Sequence, residues 1–151
     1  MYTRKNSIIV KIIAMLLVLT MLCPLQAFAV ESRASLYLNA YGAYTYSAGW
    51  GKMQVWFEVD GNEYMDEIGA LEIQLYESKD NSTWTWVKTY DYVDYDGMLG
   101  YNDHYHAGHI DYNGTLGRYY KAYVCVWAGQ NGNGDTRYFW TSAKKATLFA
   151  E

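Results

Sequence analysis

The sequence predicts an all-β protein: a single antiparallel β-sandwich of about seven strands that follows a cleaved export signal. Three observations support this prediction. Apolar and polar residues alternate with the period of a strand, turn residues recur at short intervals, and helical periodicity is nearly absent after residue 30. No internal repeat or low-complexity linker divides the chain, so we expect residues 30–151 to form one β-sandwich domain.

Residues 1–29 are typical of a secretory signal peptide. Basic residues precede an apolar run from Ile12 to Leu22, and Ala27-Phe28-Ala29 forms a small-residue cleavage site. The apolar run is shorter than the roughly 20 residues that a membrane-spanning helix needs. We therefore expect a secreted, extracellular protein with no stable membrane anchor. Acylation of Cys23, as in a lipoprotein, is the alternative, although Leu22 is bulky where that signal requires a small residue.

Cleavage changes the charge and the cysteine content. The signal removes three of the 12 basic residues, which leaves 9 against 16 acidic ones and a formal charge of about −7. That charge disfavours nucleic acids and anionic membranes as partners, because both require basic surfaces. Cys23 is lost as well, so Cys125 has no disulfide partner within its own chain.

The first three predicted strands are separated by polar and glycine-rich stretches. Leu36–Tyr46 ends at the turn SAGWGK, and Met53–Val59 then carries apolar residues at its odd positions. Residues 60–69, DGNEYMDEIG, have the composition of a long loop. Leu71–Tyr76 alternates again, which predicts a third strand with one buried face.

Four further strands are predicted in the second half of the chain. The polar turn ESKDNST precedes Trp84–Tyr90, and the loop 91–103 precedes a short strand at His106–Tyr112. NGTLG introduces the strand GRYYKAYVCVWAG at 117–129, and GQNGNGD leads to a last strand at Arg137–Leu148.

The stretch after Gly117 resembles a known motif. A glycine, then Tyr120, then the small Ala122 resembles the tyrosine corner at the start of the sixth strand of immunoglobulin-like sandwiches. This resemblance implies an immunoglobulin or fibronectin type III-like topology. Alternation then directs Tyr120, Ala122 and Val124 inward, and Cys125 outward among aromatic rings. Disulfide formation between two chains through Cys125 is the alternative.

Nearly all of residues 36–148 resembles a family of small secreted proteins of Gram-positive bacteria known as a domain of unknown function. The resemblance is carried by GWGKMQVWFEVDG, YMDEIGALEIQLYES, TWVKTY, MLGYNDHYHAGHIDYNGTLGRYYKAYV and RYFWTS. It implies export and a single β-rich domain. It implies no activity, so it assigns no functional residue.

Aromatic residues form the first candidate site. All 6 tryptophans and all but one of the 17 tyrosines follow residue 29, more than a core of this size needs. If the strands that carry them are neighbours, their outward rings form a platform for a glycan or protein partner. Cross-strand pairing that only stabilises the sheet is the simpler explanation. The predicted ligand-binding residues are Tyr76, Trp84, Trp86, Tyr119, Tyr123 and Trp127.

An acidic loop forms the second candidate site. YVDYDGMLGYND places carboxylates at several calcium-loop positions, but Tyr92 stands where the first aspartate belongs. Simple solvation of the loop is the alternative to calcium binding. The candidate calcium ligands are Asp91, Asp94, Asp96 and Asp103.

The stretch DHYHAGH could contribute to a zinc site. His104 and His106 share a strand face by alternation, and Asp103 or Asp111 could complete the ligand set. His109 falls on the other face unless Gly108 forms a bulge. Ordinary surface contacts of edge-strand histidines are the default explanation.

These observations lead to three hypotheses. The first is a secreted, non-enzymatic module that needs no cofactor, binds a glycan or a protein, and is a monomer or a weak homo-oligomer. The second is a structural protein that associates with itself through Cys125 or unprotected sheet edges. The third, a metal-dependent enzyme at residues 103–111, has the least support, because the pattern is not a strict H-x-H with a third ligand in register.

Overall fold

The computed structural model describes residues 35–151, which form one antiparallel sheet of seven strands. The predicted all-β class is confirmed, and the described residues contain no helix. Accordingly, no described segment is a helix that could cross a membrane. The predicted signal peptide lies outside the described residues. The strands are β1 (Leu38–Gly49), β2 (Lys52–Ser78), β3 (Thr85–Asp91), β4 (Leu99–Asn113), β5 (Tyr119–Gln130), β6 (Asn133–Trp140) and β7 (Lys144–Lys145).

Strand β2 organises the sheet. Its 27 residues would extend for about 90 Å, whereas a domain of this size has a radius of gyration of about 13 Å. The sheet therefore has to curl, and the pairing of β2 with β4 is interrupted between Asp60 and Met65. Residues 52–60 of β2 lie between β1 and β4, which together form the first half-sheet. Residues 72–77 lie between β3 and β5, which with β6 form the second half-sheet.

The loop predicted for residues 60–69 is wrong, because this stretch belongs to β2. Met65 pairs with Asp103 and Ile68 pairs with Gly100, so the ladder continues beyond the register shift. At Gly69 the backbone has a φ of +145°, and a Cβ there would collide with the carbonyl oxygen of Met98. The polar and glycine-rich composition therefore marks a bend inside a strand.

Alternation correctly predicts which residues face the core. In both halves of β2 and in β5, every second side chain is fully buried. These residues belong to one hydrophobic cluster, so the sheet curls around a single core shared by the two half-sheets. The core strands contribute Met53, Val55, Phe57, Val59, Ile73, Leu75, Tyr120, Ala122, Val124 and Val126.

Tyr120 has the local geometry expected of a tyrosine corner. Its ring is fully buried, and its hydroxyl accepts a hydrogen bond from the Thr115 backbone N–H at 2.8 Å. The same hydroxyl donates to Oε2 of Glu77 at 3.1 Å, which satisfies a polar group at the edge of the core. The sandwich description and the immunoglobulin-like topology remain predictions.

Other boundaries also differ from the sequence predictions, and β6 begins at Asn133, four residues before the predicted Arg137. Strand β4 begins at Leu99, well before the predicted His106. The predicted last strand is interrupted after Trp140, because Oγ1 of Thr141 accepts a hydrogen bond from the Ala122 backbone N–H at 2.8 Å and replaces a ladder contact. After β7 the chain runs along β1, where the Glu151 N–H donates to the carbonyl oxygen of Ser47 at 2.9 Å. This segment covers part of the β1 edge.

Candidate ligand-binding face

Several aromatic side chains lie close together on the outward face of the second half-sheet. Directly paired residues of antiparallel strands project from the same side of the sheet. Tyr123 of β5 is paired with Gln74 of β2 and with Trp140 of β6, so all three share this face. Two residues further along the same face, Tyr76 of β2 is paired with Lys121 of β5.

Four of the rings are in direct contact. The Trp140 ring centroid lies 5.1 Å from that of Tyr76 and 4.9 Å from that of Tyr123. Tyr123 in turn stacks on Tyr138 with centroids 5.9 Å apart and an interplanar angle of 21°. Because Tyr138 is 59% and Trp140 48% exposed, these contacts leave ring surface open to solvent. We call these four residues, together with Trp84, the aromatic platform. Its members are Tyr76, Trp84, Tyr123, Tyr138 and Trp140.

Lys121 joins Trp84 to the rest of the platform. Its Nζ lies 4.4 Å from the Trp84 ring centroid and 4.3 Å from that of Trp140, within cation–π range of both indoles. The ammonium group has no hydrogen-bond or ion-pair partner among residues 35–151. It is therefore a positive charge held by ring faces alone.

A polar row runs beside the rings along β2. The Tyr76 hydroxyl donates to Oε1 of Gln74 at 2.9 Å, and Nε2 of Gln74 donates to Oε1 of Glu72 at 2.6 Å. These bonds fix the Gln74 amide and leave the Tyr76 oxygen free to accept a hydrogen bond. The platform therefore has apolar ring surfaces with polar groups at its border.

Three of the six predicted ligand-binding residues belong to the platform, and the other three make no ring contact with it. Trp86 is paired with Tyr76 and is exposed, but it donates its Nε1–H to Oγ1 of Thr89 at 3.1 Å. Tyr119 lies further along β5, with Nζ of Lys145 5.5 Å from its ring centroid.

Trp127 turns away from the platform. Its ring packs on the backbone of Gly129 and Gly134, where a Cβ on either glycine would collide with it. Its buried Nε1–H has no hydrogen-bond partner within the described part of the chain.

The sequence interpretation missed Tyr138 and Trp140, the two most exposed members of the contacting rings. Both lie in the predicted last strand, and their alternation with Phe139, which packs against the core, was visible in the sequence. The sequence did not reveal the register in which β5 and β6 pair. Pairing of Tyr123 with Trp140 and of Cys125 with Tyr138 places them on the platform.

Cys125 lies on the outward side of β5, as predicted, yet it is only 5% exposed. Tyr138 and Glu72 lie opposite it on the neighbouring strands and cover it, whereas we expected a cover formed by the other rings of β5. Burial raises the pKa of the thiol, and a hydrogen bond with the Tyr138 hydroxyl partly offsets that rise. Disulfide formation with a second chain would require Tyr138 to move.

Two of the four predicted calcium ligands, Asp91 and Asp103, accept hydrogen bonds from nearby backbone N–H groups. Oδ1 of Asp91 accepts the Val93 N–H at 3.0 Å, while Asp94 and Asp96 are exposed in the following turn. Oδ1 of Asp103 accepts the Tyr105 and His104 backbone N–H groups, which hold the pKa of this carboxyl below its usual range.

The two candidate zinc-binding histidines make separate contacts. Nδ1 of His104 lies 3.3 Å from Oδ1 of Asp103. Nε2 of His106 is bonded to the carbonyl oxygen of Gly97 at 2.8 Å, and its ring packs against Phe57. No group of three His, Cys, Asp or Glu side chains within residues 35–151 is arranged to hold a metal ion.

The first half-sheet carries a second aromatic row on its own outward face. Trp56 stacks on His109 with centroids 4.4 Å apart and lies nearly parallel to Tyr44 at 6.3 Å. Nε1 of Trp56 donates to Oε1 of Gln54 at 3.1 Å, and Nε2 of Gln54 donates to Oδ1 of Asp111 at 2.8 Å. We call Tyr44, Trp56 and His109 the Trp56 row.

Neither the family models nor the characterised proteins compared with the chain match it. Among solved structures, the chain is similar to a family 76 glycoside hydrolase from a bovine Bacteroides thetaiotaomicron strain, with 14% sequence identity and a TM-score of 0.30. The match covers 70% of this chain and 20% of that one, so the chain spans about a fifth of the length of the hydrolase. A TM-score of 0.30 supports no inference about fold or activity.

Proposed function

We propose that this chain is a secreted, non-enzymatic module that binds a glycan through the aromatic platform. The observation that carries the proposal is the contiguous set of partly exposed rings around Trp140, bordered by hydroxyl and amide groups. The proposal includes no catalytic step. Secretion rests on the signal-peptide pattern of residues 1–29 and on the resemblance to exported proteins. We also propose that the two half-sheets are the layers of a sandwich.

A sugar ring fits the chemistry of this face. The C–H faces of a pyranose are apolar and can lie on Trp140 and Tyr123, while its hydroxyl rim needs hydrogen-bond partners. The Tyr76 oxygen, the Tyr138 hydroxyl and the remaining hydrogen of the Gln74 amide lie at the border of the rings. A protein partner is the other possible occupant, since aromatic residues also anchor protein interfaces. The open platform with polar groups at its rim favours a glycan.

Self-association through Cys125 is less well supported than glycan binding. The thiol is covered by Tyr138, and burial raises its pKa, so little of the reactive thiolate forms at neutral pH.

Titration of the purified protein with soluble polysaccharides, followed by tryptophan fluorescence, tests the proposal. We expect a saturable change and a Trp140→Ala variant with roughly tenfold weaker binding, because truncation of a central aromatic anchor costs about 1.4 kcal/mol or more. Trp50→Asn is the matched control. Trp50 is 82% exposed in the β1–β2 turn, and asparagine tolerates its positive φ of 55°. The absence of saturable binding, or equal losses in the two variants, would contradict the proposal.

A further inference from the structure

Lys121 is a positive charge without an anionic partner in an acidic protein. The chain has 12 basic and 16 acidic residues, and within residues 35–151 Lys52 and Arg118 form ion pairs with Asp111 and Glu77, whereas Lys121 contacts two ring faces. Lys121 lies on the platform itself, between Trp84 and Trp140. Contacts with both indole rings restrict the rotamers of this side chain before a ligand arrives, which lowers the entropic cost of binding.

The ammonium group of Lys121 still has donors to offer. An ammonium carries three N–H donors, and two ring faces satisfy it electrostatically without supplying an oxygen acceptor. Ring walls also lower the local dielectric constant, which strengthens an interaction with an incoming anion. An oxygen anion on a sugar stacked over Trp140 would complete the coordination of this group.

The charges on the face are also ordered along the strands. Lys121 is paired with Tyr76, whereas Glu72 is paired with Cys125, about 13 Å further along the same face. Lys145 lies at the Lys121 end, opposite Tyr119. One end of the platform therefore attracts an anion and the other end repels it.

We infer that the aromatic platform selects acidic glycans, with the carboxylate of a uronic acid bound at Nζ of Lys121 and the adjoining sugar ring stacked on Trp140. This inference rests on the proposed function and specifies the ligand class for that site. The lysine ammonium acts as a point charge with three rotatable donors, so it can pair with a carboxylate in several orientations of the sugar. The positive end of the platform sets the direction in which the glycan lies.

The test uses polygalacturonate, alginate and hyaluronate, each beside its carboxyl-reduced neutral product. Binding is measured at one ionic strength by tryptophan fluorescence. We expect the protein to bind at least one acidic polymer about tenfold more tightly than its neutral product. Lys121→Met should remove that preference by weakening binding of the acidic polymer about tenfold more than binding of its neutral product, while Lys121→Arg should retain most of the preference.

Lys88→Met is the matched control, because Nζ of Lys88 also lies over an aromatic ring, 4.6 Å from the Tyr90 centroid, but not on the platform. It should leave the acidic preference intact. Equal binding of each acidic polymer and its neutral product would overturn this inference and leave the proposed function standing. So would an equal loss for both polymers in Lys121→Met. Binding of none of the six polymers would contradict both.

Discussion

Each half-sheet carries a row of aromatic side chains on its outward face. The two rows differ in how the neighbouring cation is paired. In the Trp56 row, the indole N–H, the Gln54 amide and the Asp111 carboxylate form a closed hydrogen-bonded chain. Nζ of Lys52 lies 3.9 Å from the same carboxylate and completes the network. The aromatic platform has a similar chain, from the Tyr76 hydroxyl through the Gln74 amide to Glu72, but within residues 35–151 its cation Lys121 contacts only ring faces. The two faces therefore differ in whether the cation beside the rings is paired with a carboxylate.

The largest expected difference between the two faces is in Trp56→Ala and Trp140→Ala. Trp56 is partly buried between two rings, so its truncation should lower the free energy of unfolding by about 2 kcal/mol and leave glycan affinity within twofold. Trp140→Ala should weaken glycan binding and lower the free energy of unfolding by only about 1 kcal/mol. Urea unfolding and polysaccharide titration of both variants measure these effects. If Trp56→Ala alone bound the glycan more weakly, the ligand would lie on the Trp56 row, and the proposed site would be wrong.

A smaller effect is expected where the second half-sheet meets the start of the first. Oδ2 of Asp135 on β6 accepts hydrogen bonds from the Ser35 hydroxyl and from the Leu36 and Tyr37 backbone N–H groups. The Ser35 bond, followed by the two backbone bonds, lowers the pKa of this carboxyl. The stabilisation is therefore present above the unfolded pKa of about 3.9 and is lost as the pH falls through the lower folded value.

Asp135→Asn should consequently reduce the free energy of unfolding by about 0.5–1 kcal/mol at pH 7, since the group is largely solvated. The difference from the original protein should shrink as the pH falls through the lowered folded pKa of Asp135. Urea unfolding at pH 7 and across the acidic range provides the measurement. A difference that persists unchanged in acid would mean that the carboxylate charge is not what joins this segment to β6.

The smallest expected effect concerns the thiol under the platform. Tyr138 lies opposite Cys125 on β6, and against the larger effect of burial its hydroxyl lowers the pKa of the thiol. Tyr138→Phe keeps the covering ring but removes that effect, so alkylation of the thiol at pH 8 should slow roughly twofold. Tyr44→Phe, the matched change in the Trp56 row, should leave the rate unaltered. Faster alkylation in Tyr138→Phe would show that the hydroxyl, and not the ring, shields the sulfur.

Strand parity could be predicted because it depends on nearest neighbours along the chain. Tyr120, Ala122 and Val124 face the core, and Cys125 faces outward, as the alternation requires. The loop predicted for residues 60–69, which was inferred from composition and not from alternation, was wrong. Composition cannot distinguish a loop from a bend when the hydrogen-bond partners of the bend, such as Gly100 and Asp103, lie more than thirty residues away.

The candidate site shows the same division. Tyr76, Trp84 and Tyr123 were identified from an excess of aromatic residues and from parity, whereas Trp140 and Tyr138 joined them only through the β5–β6 register. Trp127 has the correct parity but packs on Gly129 and Gly134, because two glycines on neighbouring strands leave room for its ring. Parity assigns a side of the sheet and does not assign neighbours.

The amino-acid sequence by itself determined the all-β class, the burial pattern of the strands and the outward direction of Cys125, since these follow from local alternation and solvation. Only the tertiary structure decided that β2 runs through both half-sheets, that Tyr138 covers the thiol, and that Lys121 lies between Trp84 and Trp140. Those features depend on register between distant segments, which is set by the collective packing of one core.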